Sequence, residues 1–283
     1  NYNELATDDD GSCWYPETNF TCDGFKPETQ SVLQSAVALW ISDNATALST
    51  YGEINTWDVS QITDMSYLFM DKGSFNDEIG NWETSNVTSM YRMFQHAYDF
   101  NGDISGWDVS KVSNMTRMFD GARDFNQDLS NWDVSGVTNG MKHMFAGAYD
   151  FNGDISSWDV SNVTRMPSMF EHASSFNQDL SNWNVSNAAG DGFYTMFYNA
   201  SSFDQDLSNW DVSSSTGNGL SSMFDGTSLS EENQCEIHAS FSSQNEIWNY
   251  DWSENQDCAG TCFGDAVEDC AGECGGDSVL SGC

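Results

Sequence analysis

The sequence predicts an α/β repeat solenoid of seven coils, each built from one short parallel strand and one short helical turn. Three observations carry that expectation. Tryptophan recurs at Trp57, Trp82, Trp107, Trp132, Trp158, Trp183 and Trp210, at spacings of 25, 25, 25, 26, 25 and 27 residues, and a fixed period of this size marks stacked supersecondary units. A second column, Phe69, Phe94, Phe119, Phe145, Phe170, Phe197 and Phe224, has its first six members 13 residues before the next Trp. All length variation therefore falls between Trp and Phe. Finally, the run FNQDLSNWDVS at Phe125 returns, slightly altered, at Phe100, Phe151, Phe176 and Phe203.

The elements follow in order. Residues 1–26 are polar and turn-rich, and read as a Cys-containing linker. Over 27–53, Leu33, Ala36, Val37 and Trp40 stand at i, i+3, i+4 and i+7 behind Pro27 and Glu28, an amphipathic helix suited to cover the open end of the first coil. The coils occupy 54–228. Within them Met115, Met118, Phe119 and Ala122 repeat the helical spacing, as do the corresponding residues from Met90 and Met166, which predicts about two helical turns. In the other half Trp132 and Val134 alternate with polar neighbours, the pattern of a short strand. One strand and one short helix or 3₁₀ turn per coil is a leucine-rich-repeat-like layout, extending roughly 35 Å if the strands stack at about 4.8 Å. Ser230 followed by Glu231 and Glu232 opens a second capping helix within 229–256, and 257–283 is a Cys/Gly-rich linker in which Cys258 and Cys270, and Cys262 and Cys274, lie 12 apart.

Composition limits the partners. With 8 Lys and Arg against 44 Asp and Glu, the net charge of −36 argues against nucleic acid or an anionic membrane. No apolar run approaches the roughly 20 residues of a membrane span. The chain opens on Asn1 without Met and reads as a processed or trimmed product. The eight cysteines avoid the coils: Cys13 and Cys22 precede them, and Cys235, Cys258, Cys262, Cys270, Cys274 and Cys283 follow. An even number in turn-rich flanks reads as disulfides in an oxidising compartment, with the pairing left open. Zinc is the alternative, although the C-x3-C and C-x7-C spacings lack the usual paired knuckles.

The run FNGDISGWDVSKVSNMTRMFDGARDFNQDLSNWDVS resembles the BspA-like leucine-rich-repeat surface proteins, in the variety carrying W-D-V-S and M-F in each repeat. That resemblance implies a right-handed solenoid at the cell surface or secreted, with adhesive or structural roles and no enzymatic chemistry. NYNELATDDDGSCWYP and DCAGTCFGDAVEDCAGECGGD are similar to Cys-bearing linkers of very large extracellular proteins of marine microbes. They imply one unit of a tandem array or polymer.

Chemistry in the coils reduces to a few candidates. Four residues before successive Trp stand Glu78, Asp103, Asp128, Asp154, Asp179 and Asp206, and an acid follows most of the Trp directly. Stacked about 5 Å apart, neighbouring carboxylates repel by roughly 1 kcal/mol even in water. Either they accept backbone amides in Asx turns, the favoured reading, or they hold calcium, for which Asp103, Asp128, Asp154, Asp179, Asp206 and the cluster Asp8, Asp9 and Asp10 are weaker candidates. Glycosylation sequons stand at Asn19, Asn44, Asn86, Asn114, Asn162, Asn184 and Asn199. His96 and His172 share a register but sit in coils two and five, expected to be too far apart for one site. No catalytic motif occurs, so no enzyme is expected. The Trp, Phe and Met columns read as core in preference to a sugar-binding face. The expectation is thus a secreted structural subunit of a filament, appendage or surface layer, touching copies of itself head to tail. The alternative is an adhesin binding an extracellular glycan or matrix protein through one face.

Overall fold

The computed structural model describes residues 19–21, 24–264 and 274. Two antiparallel two-residue strands, β1 (Phe20–Thr21) and β2 (Gly24–Phe25), lead into α1 (Gln30–Ser42) and α2 (Asn44–Tyr51). The repeats follow, and α3 (Glu231–Gln244) closes the far end.

Thr29 caps α1 by accepting the Val32 amide, and Asp43 caps α2 by accepting that of Thr46, each satisfying an amide that the first turn leaves unpaired. Leu33, Ala36, Val37 and Trp40 form the buried face of α1. The Trp40 and Trp57 rings meet edge to face at 5.8 Å, and Trp40 Nε1 donates to Asp77 at 2.8 Å. At the other end Ser230 accepts the Asn233 amide, and α3 buries Cys235, Ile237 and Phe241. Gln244 and Asn245 then satisfy the last coil: Gln244 accepts the Val212 amide and donates to the Trp210 carbonyl, while Asn245 donates to Val212 and Ser215. Trp248, Tyr250 and Trp252 cover Phe224, with ring centroids 5.9–6.4 Å away.

Between the caps, successive repeats stack in register, each touching its neighbours. The seven Trp are between 1 and 4 % exposed, and the Phe column from Phe69 to Phe224 is at most 3 % exposed. This places them in the core and removes them as a sugar-binding face.

The local structure of the coils differs from the expectation. The Met–Phe segment is not helical. Its amides alternate: those of Met65, Tyr67, Phe69 and Asp71 donate to Ser89, Tyr91, Met93 and Gln95 of the next coil, whereas Leu68, Met70 and Lys72 donate to the residue three before. The result is a ribbon of overlapping turns in which every second amide leaves for the neighbour. A helix would keep all its amides internal and leave nothing to join the coils. The ribbon also needs left-handed residues at the third position of alternate turns, as a type II turn does. Tyr67 and Asp71 have φ of 64° and 59°, Arg92 and His96 55° and 57°, and glycine takes this role at Gly121 and Gly147. A side chain there costs about 1–2 kcal/mol. Four inter-coil hydrogen bonds, each contributing about 0.5–1.5 kcal/mol, offset it.

The predicted strand at Trp132–Val134 is likewise absent. That segment runs between two turns, Leu129–Trp132 and Val134–Val137, each closed by its own hydrogen bond. Parallel pairing is confined to single bridges at the start of the ribbon, Asp64 with Ser89, Ser89 with Asn114, and Gly190 with Ser215. Side chains stitch the Trp half instead. Trp82, Trp107, Trp132, Trp158, Trp183 and Trp210 each donate Nε1 to a carbonyl of the preceding coil, from Ile54 to Leu180, at 2.8–3.2 Å. An asparagine ladder runs beside them: the amides of Asn101, Asn126, Asn152, Asn177 and Asp204 donate to Oδ1 of the equivalent Asn one coil earlier.

Candidate functional site

The acid columns are occupied by the turns they cap. Asp103, Asp128, Asp154, Asp179 and Asp206 accept the amide of the Ser two residues later at 2.8–3.0 Å. Asp108, Asp133, Asp159 and Asp211, just after Trp, do the same at 3.0 Å. The Ser hydroxyls and amides hold the Asp103, Asp108, Asp159 and Asp211 carboxyls below the usual carboxylate range. Among the described residues no three His, Cys, Asp or Glu side chains gather as a metal ion would require. Asp8, Asp9 and Asp10 lie outside the described residues.

Two disulfides form in the C-terminal part, Cys235–Cys262 and Cys258–Cys274, the first tying α3 to the segment that follows it. Cys13, Cys22, Cys270 and Cys283 lie outside the described residues. Of the sequons, Asn44, Asn86, Asn162 and Asn184 are exposed, and Asn19, Asn114 and Asn199 are half-buried. Asn86 and Asn162 donate Nδ2 to Ser60 and Ser135 of the preceding coil, so the atom a glycan would modify already serves the stack.

His96 and His172, three coils apart, line the same groove of about 290 Å³, which runs along the ribbon face of coils two to five. The reason lies at their own register, where the two intervening coils carry Gly121 and Gly147 and so open a floor between the imidazoles. His96 leans over Gly121, where a Cβ would come within 2.8 Å of its ring.

Tyr98, Arg123 and Tyr149 form one rim, at one register on consecutive coils. Both tyrosines are exposed, at 38 and 45 %. The Arg123 guanidinium lies 4.3 Å from the Tyr98 ring centroid and 5.9 Å from that of Tyr149, and among the described residues it makes no ion pair. Tyr98 is seated on Gly73, whose absent side chain would meet its ring at 2.9 Å.

Asp120, His143 and Glu171 also line the groove. Arg117 pairs with Asp120 at 2.6 Å and Gln95 donates to it at 2.8 Å. Burial, helped by the nearby Arg117 charge, pushes His143 down to about 4. Its imidazole is therefore neutral near pH 7, and the 3.6 Å contact with Glu171 is not an ion pair.

This rim was missed in the sequence because its signal is variation at one register: Gly73, Tyr98, Arg123, Tyr149, Ser174, Ser201 and Ser228 in turn. Only coils two to four present planar groups there.

The family described as Mycoplasma protein of unknown function, DUF285, matches residues 40–140 and 130–237. No curated protein and no solved structure matches the chain.

Proposed function

The chain belongs to that family of unknown function, and on this premise we propose that it is a non-enzymatic, secreted structural module: a leucine-rich-repeat-like solenoid serving in an extracellular filament, appendage or surface layer. The observation that carries the reading is the use of the recurring polar residues. Trp Nε1, the Asn ladder and the Asp caps are each consumed in joining or closing coils, so the repetition builds a rod and leaves no recurring chemistry over.

Two disulfides fit an oxidising compartment. No helix among the described residues is long and apolar enough to cross a membrane. Because α1 and α3 cover both ends of the stack, coils of two molecules do not continue one another directly. Head-to-tail joining then falls to the Cys-rich flanks. Electron microscopy of the native secreted material tests this: regular filaments or a lattice containing this chain support it, and a monodisperse monomer at native concentration overturns it.

A second reading, an adhesive role for one face, is favoured by the groove between His96 and His172, which the stacking does not use.

A further inference from the structure

We propose that the ribbon face of coils two to five docks the acid columns of a second copy of this chain, so that neighbouring rods pack side by side. The proposal rests on reading the chain as a structural module, and adds the lateral surface and the partner that covers it.

Cations are scarce in this chain, and they are gathered on one side. All four arginines, Arg92, Arg117, Arg123 and Arg165, fall in the ribbon half of the coils together with Lys142. Over 89–99, 114–124, 140–150 and 165–175, five Lys and Arg balance five Asp and Glu, whereas the Trp halves at 76–88, 101–113, 126–139 and 152–164 carry nine acids and one lysine. In a chain of net −36 the ribbon is therefore a neutral strip, where another copy approaches without the repulsion it meets elsewhere.

The fold does not use up these cations. Arg117 and Arg165 pair with Asp120 and Asp191, but Arg92, Arg123 and Lys142 make no ion pair among the described residues, and Arg92 Nε is buried without a hydrogen-bond partner. Stacking on the Tyr98 ring at 4.3 Å fixes the Arg123 guanidinium, so less side-chain freedom is lost when it takes a carboxylate.

The residues around them have the composition of a contact surface. Six of the ten tyrosines, Tyr67, Tyr91, Tyr98, Tyr149, Tyr194 and Tyr198, belong to the ribbon half, and Tyr67, Tyr98, Tyr149 and Tyr194 are exposed. Tyrosine and arginine are enriched where proteins meet.

The acid columns supply the complement. Asp103, Asp108, Asp133 and Asp211 take both the Ser amide and the Ser hydroxyl on Oδ1, so capping the turn leaves Oδ2 and the charge for a partner. Both surfaces repeat with the coil, at about 4.8 Å per step. Successive carboxylates of one rod then meet successive cations of the next in step, a match that an unrelated acidic protein does not offer. Because ribbon and acid columns belong to different halves of the coil, a copy docked through one still offers the other, and the contact propagates as a layer.

The test is sedimentation velocity of the full chain in about 0.15 M NaCl, where long-range repulsion between copies is screened and close pairs are less so. Two triple variants, Asp108→Asn with Asp133→Asn and Asp159→Asn, and Asp103→Asn with Asp128→Asn and Asp179→Asn, remove charge and keep the caps, as Asn184 does in accepting the amide and hydroxyl of Ser186. They are made in an oxidising host compartment without N-glycosylation, since each change creates an N-x-S sequon. The expected result is concentration-dependent self-association that weakens about tenfold in at least one of these variants and in Arg123→Gln with Lys142→Gln, with unchanged circular dichroism. The Asp→Asn arm is decisive, because lowering the net charge would by general repulsion alone strengthen association. Self-association that neither Asp→Asn variant weakens, or that the Arg123 and Lys142 changes leave unaltered, overturns the proposal while the structural reading stands. A chain that stays monomeric at its native concentration overturns both.

Discussion

Replacing Trp132 by Phe tests the coil-stitching, because it removes one inter-coil hydrogen bond from the middle of the stack and keeps an aromatic ring there. Trp132 Nε1 donates to the Ile104 carbonyl at 3.1 Å in a buried setting. That carbonyl also accepts the Trp107 amide, so it is not orphaned by the change. Losing the indole bond should cost about 1 kcal/mol. The smaller ring leaves space beside Trp158, whose ring stacks on Trp132 at 6.4 Å, and beside Phe119 at a similar distance. A partly collapsed cavity of this kind adds about 1–2 kcal/mol. The sum, roughly 2–3 kcal/mol, against a urea slope near 3 kcal/mol per molar, should lower the unfolding midpoint by close to 1 M. Equilibrium urea titration followed by far-ultraviolet circular dichroism reads it. A shift no larger than that of Tyr98→Phe, which removes one exposed hydroxyl, would refute the claim that the indole column joins the coils.

Acidification should weaken the fold in a defined window. His143 is lowered from 6.5 to about 4 in the folded chain, so the unfolded state takes up its proton first as pH falls. The stability it contributes is whole above 6.5 and lost progressively down to about 4, by roughly 3 kcal/mol in total. Urea midpoints between pH 7 and 4 should fall less steeply in His143→Gln. Gly153→Ala places a Cβ against the Gln127 carbonyl oxygen of the preceding coil, and backbone cannot yield as a side chain can. It should cost about 1–3 kcal/mol, measured by thermal unfolding. Opening the Cys235–Cys262 bridge by a double change to Ala releases a loop of 27 residues and should destabilise the C-terminal cap by roughly 3–4 kcal/mol on loop-closure grounds. Hydrogen exchange should then rise in α3 before it rises at Trp132.

Several elements were legible because their signals are local. The stripe Leu33, Ala36, Val37 and Trp40 reads as a helix and forms the buried face of one. Ser230 reads as a helix start and caps α3. The Asp residues four before and one after Trp read as turn caps, and each accepts a Ser amide two residues on. The ribbon misled for a physical reason. Met115, Met118, Phe119 and Ala122 are all fully buried, as a helical stripe would be, but overlapping turns of three-residue step bury nearly the same positions. Burial periodicity reports which side chains point inward and says nothing of where the amides go. The carboxylate columns are read as Asx turns on the same local ground, each Asp accepting the Ser amide two residues on.

The period, the core columns, the capping helices and the acid-capped turns belong to the sequence itself, because each is set by residues close in the chain or by strict recurrence. The turn ribbon, the indole and asparagine ladders, and the groove between His96 and His172 were decided only by tertiary structure. They depend on what lies one coil away, at a separation of 24–26 residues for the ribbon contacts and 28–30 for the indole bonds. Gly121 and Gly147 show the distinction most plainly. In the sequence they are two glycines in a repeat, and only stacking turns their missing side chains into an open floor between imidazoles three coils apart.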